Sequence, residues 1–359
     1  MRPCRVLQGT RTGPETGPVA SGRRIKAGPV LLPGSWSLSG LTSIEVCAGA
    51  GGQALGLERA GFKHLALVEV DAHACATLAA NRPKWNVIME DLRDWVPSTE
   101  LKGATLLTGG VPCPPFSRAG KQLGRNDERD LFPQMITLAE CLKPEAIMIE
   151  NVRGLLGTKF ADYRTELLDT FQSLGYVACG EREDGWQLLD AADFGVPQHR
   201  RRAILVLLKP AAANLFQWPA SRRHRTVGEV LLPLMAEGGW NGAADWAIGA
   251  SACAPALVGG SKKHGGADVG PTSAKAGWKK LGVDGMAIAY APPKPDFQGS
   301  PRLTVKMAAA VQGFPSEWQF LGGKTAAYRQ VGNAFPHPVA EAVGKAIAKA
   351  LKLTKQDRP

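Results

Sequence analysis

The most constraining feature of this sequence is a short apolar run that breaks into a cluster of glycines. Ile44-Glu45-Val46-Cys47 leads into Ala48-Gly49-Ala50-Gly51-Gly52, and a helical pattern over 53–60 follows. A strand that turns through glycines into a helix lets the backbone approach a nucleotide-like ligand and aims the helix N-terminus at it. The alternation continues down the chain. Strands are expected over 43–47, 64–70, 104–108, 146–150 and 203–208, and helices over 53–60, 72–80, 131–141 and 163–174. Strands separated by helices of this length predict an α/β fold, a doubly wound and mostly parallel sheet.

After Pro210 the alternation fails, and residues 209–300 are rich in Gly, Ala, Pro and Trp. They read as a smaller, irregular second module. A last helical pattern over 339–353 returns order, so 301–359 is expected to complete the first domain, whose main body is 41–208. Residues 1–40 are basic and rich in Gly and Pro, and read as a disordered tail.

Charge bears on the partner. The formal net charge is +11, carried by the first 40 residues and by everything after 203, while the body between is mildly acidic. A basic surplus favours a polyanionic partner without identifying one. No apolar run approaches the roughly 18 residues a membrane span needs. The seven cysteines form no C-x-x-C pair, so no metal site is expected. Without an apolar leader, the setting expected is reducing and cytoplasmic.

Two carboxylate positions sharpen the glycine turn. Glu69 and Val70 close the second strand about 20 residues on, where a carboxylate meets ribose hydroxyls. Asp91 and Leu92 follow a third strand, suited to an adenine amino group and ring face. Cys47, Ala48, Gly49, Gly51, Gly52, Glu69, Val70, Asp91 and Leu92 thus fit an adenosine-bearing cofactor, NAD or S-adenosylmethionine. At the end of the next strand stands Gly109-Gly110-Val111-Pro112-Cys113-Pro114-Pro115-Phe116-Ser117. Ligands sit at such strand ends, and prolines hold the thiol of Cys113 in one orientation, as a nucleophile requires. Cys47, Cys75, Cys141 and Cys179 read instead as small buried hydrophobes.

The run GGVPCPPFS, with the glycine turn before it, resembles the C5-cytosine DNA methyltransferases. The rest of the chain keeps that family's order. Glu150-Asn151-Val152 follows a strand. Gln198, Arg200 and Arg202 match Gln-x-Arg-x-Arg, and residues 209–300 fill the slot of a variable target-recognition region. Arg302-Leu303-Thr304, then Gln312-Gly313-Phe314-Pro315, then Gln330-Val331-Gly332-Asn333-Ala334 close the series. The chain departs from the common pattern in places: Glu45-Val46 stands for Asp-Leu, and one residue fewer separates Arg302 from Leu303. Cys47 stands for an adenine-packing Phe, Pro114 for a Gln, and Met307 for a Glu.

The resemblance implies methyl transfer from S-adenosylmethionine to C5 of cytosine in a specific duplex DNA sequence. Cys113 would attack C6 of a flipped-out base. Glu150, kept protonated by burial, would bond N3 and N4, Arg202 would donate to O2, and Arg200 would orient the same site. Pro112, Asn333 and Ala334 join the cofactor set, with Asn333 bracing the turn beside the recognition module. Ser117, Lys121 and Gln122 lie on a segment similar to the family's mobile loop and, with Gln198, Lys262 and Lys263, form the expected DNA contacts. His199 and Arg201 read as a solvated face or a phosphate contact. Of the tryptophans of the second module, Trp218, Trp240, Trp246 and Trp278, at least three are expected in a core. The resemblance also implies a monomer, with a cognate restriction endonuclease as a companion that forms no stable complex. A tRNA-directed member of the same family shares every motif, and a nicotinamide dehydrogenase shares only the glycine turn.

Overall fold

The structure is a computed structural model that describes residues 40–112, 130–260 and 266–356. The expectations for Cys113, Ser117, Lys121, Gln122, Lys262, Lys263 and the tail lie outside the described residues. In chain order the first domain forms β1 (Thr42–Val46), α1 (Gly52–Arg59), β2 (Lys63–Glu69), α2 (Ala72–Asn81), β3 (Val87–Met89), β4 (Leu106–Gly110), α3 (Phe132–Leu142), β5 (Ala146–Val152), α4 (Ala161–Ser173), β6 (Val177–Ala178), β7 (Trp186–Asp190), β8 (Gln198–His199) and β9 (Arg201–Leu208). The sheet runs β3-β2-β1-β4-β5-β9-β6, with β7 also paired to β9. The first five strands are parallel. β9 returns antiparallel to β5. The α/β, mostly parallel sheet is therefore as expected. β6 and β7 have no counterpart in the sequence reading, because they flank the glycine- and charge-rich segment 180–185, which reads as a loop.

Strand order reverses between β1 and β4, so a crevice opens at the carboxyl ends there. β1 shows how the chain faces its layers. Ile44 and Val46 point into the core shared with α3. Ser43 and Glu45 alternate to the other face, under α1, and both are buried. Ser43 Oγ meets His64 Nδ1 at 2.8 Å, and His64 Nε2–H donates to the Ala54 carbonyl in α1.

The second module is more ordered than its composition suggests. It holds α5 (Pro210–Ala213), α6 (Val227–Ala236), α7 (Ala243–Gly249), β10 (Ala254–Pro255) and α8 (Thr272–Lys280). The helices are short and separated by Gly and Pro, which hides their periodicity. α6 starts on a reciprocal cap: Thr226 Oγ1 accepts from Glu229 N, and Glu229 Oε2 accepts from Thr226 N. Trp240 and Trp278 are buried, and Trp246 packs against the same core. Trp218 packs under the sheet domain and donates to Cys179 O.

That second core continues past residue 300. Leu303, Met307, Val311, Phe314, Tyr328 and Val331 join it, from α9 (Val305–Val311) and α10 (Lys324–Asn333). Met307, in place of the family's Glu, is buried there, and its sulfur accepts from Thr304 N at the start of α9. The chain rejoins the sheet domain at Phe335. α11 (His337–Gln356) then lays Val339, Val343, Ile347 and Leu351 along the sheet, one apolar stripe at i, i+4 spacing. Each such buried side chain stabilises by about 1.5–3 kcal/mol. α1 and α11 touch closely: a Cβ on Gly56 would lie 2.5 Å from His337 O. Among the described residues, no helix is long and apolar enough to cross a membrane.

Candidate active site

A cavity of about 950 Å³ occupies the crevice at the strand ends, between the sheet domain and the segment 256–260. That is the size of a site for a cofactor-sized ligand and more. One end is the glycine turn. Cys47, Gly49 and Gly51 all have positive φ, 52°, 54° and 88°, so the chain leaves β1 through three left-handed residues. Cys47 is the strained one, since it carries a Cβ. Its thiol is pushed far up by burial first and then by Glu69, Asp91 and Glu45, so it offers the cavity a neutral apolar surface. Burial likewise lifts the thiols of Cys75 and Cys179, both to about 12.

Glycine is needed in this turn for two different reasons. A Cβ on Gly52 would meet the carbonyl of Phe335 at 2.2 Å, so the returning chain and the turn lie backbone to backbone. Gly51, expected among the cofactor contacts, does not line the cavity. It faces Leu78 and Trp318 and is the left-handed residue before α1. Its part is to set the turn.

Glu69 lines the cavity and ties the turn together. Its Oε2 accepts from Gly49 N at 2.7 Å, and its Oε1 accepts from Val70 N and Asp71 N. The oxygens keep acceptor capacity toward the cavity. Val70 is exposed beside it. Asp71 caps α2. Asp91 accepts from the backbone and side chain of Arg93, both at 2.9 Å. The Arg93 guanidinium holds its carboxyl down at about 2. Leu92, Pro112 and Ala334 complete an apolar flank.

The opposite end is built by β5 and β9. Their antiparallel register sets Val152 against Arg202 and Glu150 against Ile204. Arg202 Nε pairs with Glu150 Oε1 at 2.8 Å, both side chains mostly buried. Burial raises the Glu150 carboxyl above its ordinary value, against the pull of Arg202 and Arg200. Gly110 leaves the space for this carboxylate, whose Oε2 would be 3.1 Å from a Cβ there. Asn151 Nδ2 donates to Val111 O, fixing the strand-end loop that leads to Pro112.

Two expected contacts take other positions. Gln198, expected to face DNA, is fully buried. Its amide donates to Val311 O and Gln312 Oε1 and accepts from Leu257 N. It joins three segments, has no donor left, and is buried where a nucleic acid does not reach it. Arg200 is buried too, and its guanidinium donates to Leu257 O, Gly332 O and Ala334 O. It positions the wall of the cavity through these terminal nitrogens, while its Nε has no acceptor among the described residues. Asn333 Nδ2 donates to Gly260 O, bridging α10 to the second module. His199 and Arg201 are exposed and paired with Asp190.

Sequence reasoning gave no role to Glu45 and Gln53. Both are buried under the glycine turn and line the cavity. Among the described residues Glu45 Oε2 and both polar atoms of the Gln53 amide make no hydrogen bond of ordinary geometry, and burial, opposed by the neighbouring Gln53 side chain, raises the Glu45 carboxyl well above its ordinary value. The signal was available: a carboxylate between Ile44 and Val46 in the strand that enters the turn, and an amide in the first turn of the helix that leaves it.

The sequence profile of the C-5 cytosine-specific DNA methylase family matches residues 41–236 and 265–349. The chain is 53% identical over 329 residues to the type II methyltransferase M.NaeI of Lentzea aerocolonigenes, covering 89% of this chain and 78% of that protein. It is 51% identical over 322 residues to the type II methyltransferase M.NgoMIV of Neisseria gonorrhoeae, covering 87% of this chain and 98% of that one. Among solved structures, the Entamoeba histolytica methyltransferase EhMeth superposes with a TM-score of 0.60 at 14% identity, covering 87% of this chain and 99% of that one. Spodoptera frugiperda DNMT2 gives 0.56 at 17% identity, covering 86% and 99%. At those identities the structures speak to the fold alone.

Proposed function

The chain belongs to the C-5 cytosine-specific DNA methylase family and is a DNA cytosine-5-methyltransferase; from that premise we propose that it methylates one cytosine of a specific duplex sequence, flipped into the cavity and attacked at C6 by Cys113. The observation that carries this reading is the buried Glu150–Arg202 pair at one end of a cavity whose other end is the glycine turn.

Cytosine C5 is a poor nucleophile. Addition of the Cys113 thiolate to C6 makes the C5–C6 unit enamine-like, so that C5 can take a methyl group. Negative charge then develops toward N3 and O2. Glu150, with a carboxyl raised by burial, keeps its proton at N3 and accepts from the N4 amine. Arg202 donates to O2 and holds Glu150 in place. Removal of the C5 proton by a base then lets the thiolate leave.

S-adenosylmethionine supplies the electrophilic methyl group when bound. The residues present fit it: Glu69 and Asp91 offer acceptors for ribose hydroxyls and an adenine amino group, while Leu92, Val70 and Cys47 offer apolar surface. Flipping costs a few kcal/mol of stacking and pairing, which basic contacts from the recognition module offset. The enzyme is proposed to act as a monomer.

Bisulfite sequencing of plasmid from an expressing cell tests the reading. One recurrent methylated sequence is expected with the wild type, and none with Cys113→Ala. Methyl transfer to tRNA but not to duplex DNA, or methylation that survives Cys113→Ala, would overturn it.

A further inference from the structure

Four arginines line the cavity: Arg93, Arg200, Arg202 and Arg329. Three are committed to the protein. Arg93 binds Asp91, Arg200 binds three carbonyls, and Arg202 binds Glu150. Arg329 makes no hydrogen bond or ion pair with a described residue, and its Nε is buried without an acceptor. A buried guanidinium donor without an acceptor is costly, and such groups ordinarily meet a ligand oxygen. A planar fork of donors suits a phosphate best.

Its place in the fold narrows the source of that oxygen. Arg329 lies on the face of α10 that carries Ala326, Gln330 and Asn333 into the cavity. On one side Gln330 turns away to bond Thr77 of α2. On the other, the backbone of Arg329 abuts Gly259, where a Cβ would lie 2.5 Å from Arg329 O. Gly260, held by Asn333, is the last described residue before the sequence that contains Lys262 and Lys263. The adenosine end of the cavity, by contrast, is lined by Glu69, Glu90 and Asp91. The free cation therefore stands beside the stem of the recognition module, where the duplex has to enter.

We propose that Arg329 grips a phosphate of the target strand next to the extruded cytosine, holding the flipped nucleotide's backbone against α10. This rests on the base-flipping reading above. A phosphate contact positions the strand and carries no sequence information, so Arg329 would act alike on cognate and non-cognate DNA.

The test compares wild type, Arg329→Gln and Arg329→Lys on a duplex holding the methylated sequence, across a series of salt concentrations, with cofactor affinity measured in parallel by calorimetry. Arg329→Gln is expected to bind DNA about tenfold more weakly, with the slope of log K against log salt shallower by about 1. Arg329→Lys should recover most of the loss, and cofactor affinity and Tm should not move. A scan of single neutral methylphosphonates along the target strand should find one position that costs the wild type about tenfold and costs Arg329→Gln nothing more. An unchanged salt slope, a weakened cofactor affinity with DNA binding intact, or no such position would overturn the proposal. If the wild type methylates no duplex, base flipping falls instead, and the salt slopes still report on Arg329 separately.

Discussion

The two ends of the cavity each present a carboxylate beside an arginine, and they behave in opposite ways. Asp91 pairs with Arg93 near the surface, and its carboxyl is held down at about 2. Glu150 has two arginines within its field, yet its carboxyl lies above the ordinary value. The difference is burial. A surface carboxylate keeps its hydration and gains from the cation, whereas a buried one loses hydration faster than its neighbours can compensate. One fold thus keeps an anion at the end by the glycine turn and favours a proton at the end built by β5 and β9, with a carboxylate and a guanidinium at both.

The largest way to break that contrast is Glu150→Gln, which removes the titrating group and leaves the shape. Methyl transfer should fall by about 10³, with cofactor affinity unchanged, as initial rates and calorimetry would show. The sign of the pH effect follows from the raised carboxyl: the protonated form persists above the usual carboxylate value and is lost as pH rises through the raised one. The wild-type kcat/KM profile should carry that alkaline limb, and Glu150→Gln should lack it.

Arg202→Met sharpens the same point. Without its partner the Glu150 carboxyl should rise further, so the limb moves to higher pH. A fall of about 10² in rate is expected, together with about 3 kcal/mol of stability, since a buried carboxylate loses its counterion. Denaturant midpoints measure the second figure. A limb that moved to lower pH would contradict the assignment.

Asp91→Asn addresses the other end and should do less. The cofactor is expected to bind about tenfold more weakly, the loss of one charge-assisted hydrogen bond, with kcat nearly unchanged under saturation.

The smallest effect comes from His337, outside the cavity, where burial acts on a base. Burial, and then Arg59, lower its imidazole to about 4, while Nε2–H donates to Gly313 O. The unfolded chain takes up this proton near pH 6.5 and the folded chain near 4, so stability should fall as pH drops through that window. The loss should be on the order of 2 kcal/mol, and His337→Gln should flatten it. A thermal-shift series between pH 7 and 4 decides.

Much of this was legible in the sequence, because the parallel strands are apolar runs punctuated by glycine, and the carboxylates proposed for the cofactor end stand at the close of β2 and just past β3. Glu150 and Arg202 were legible from their motifs, although their meeting depends on an antiparallel return that a pattern of alternating strands and helices does not reveal. Gln198 was misread for the same reason. A polar residue in a basic run resembles a surface contact until the fold buries it between three segments. Glu45, Gln53 and Arg329 went unassigned because a polar atom buried without a bond among the described residues is a property of the fold and not of the residue pattern. The short helices of the second module escaped because glycine and proline break their period.

The closeness of Gly52 to the Phe335 carbonyl has a consequence for the order in which a ribosome makes this protein. The glycine turn emerges early, but the Phe335 carbonyl that packs on it is made only after the whole of the second module, and α11 follows it to hold that segment on the sheet. A nascent chain therefore carries both ends of the site long before it can close either. The turn therefore waits on contacts made far downstream, and a product truncated before Phe335 is expected to be an inactive fragment rather than a methyltransferase with relaxed specificity.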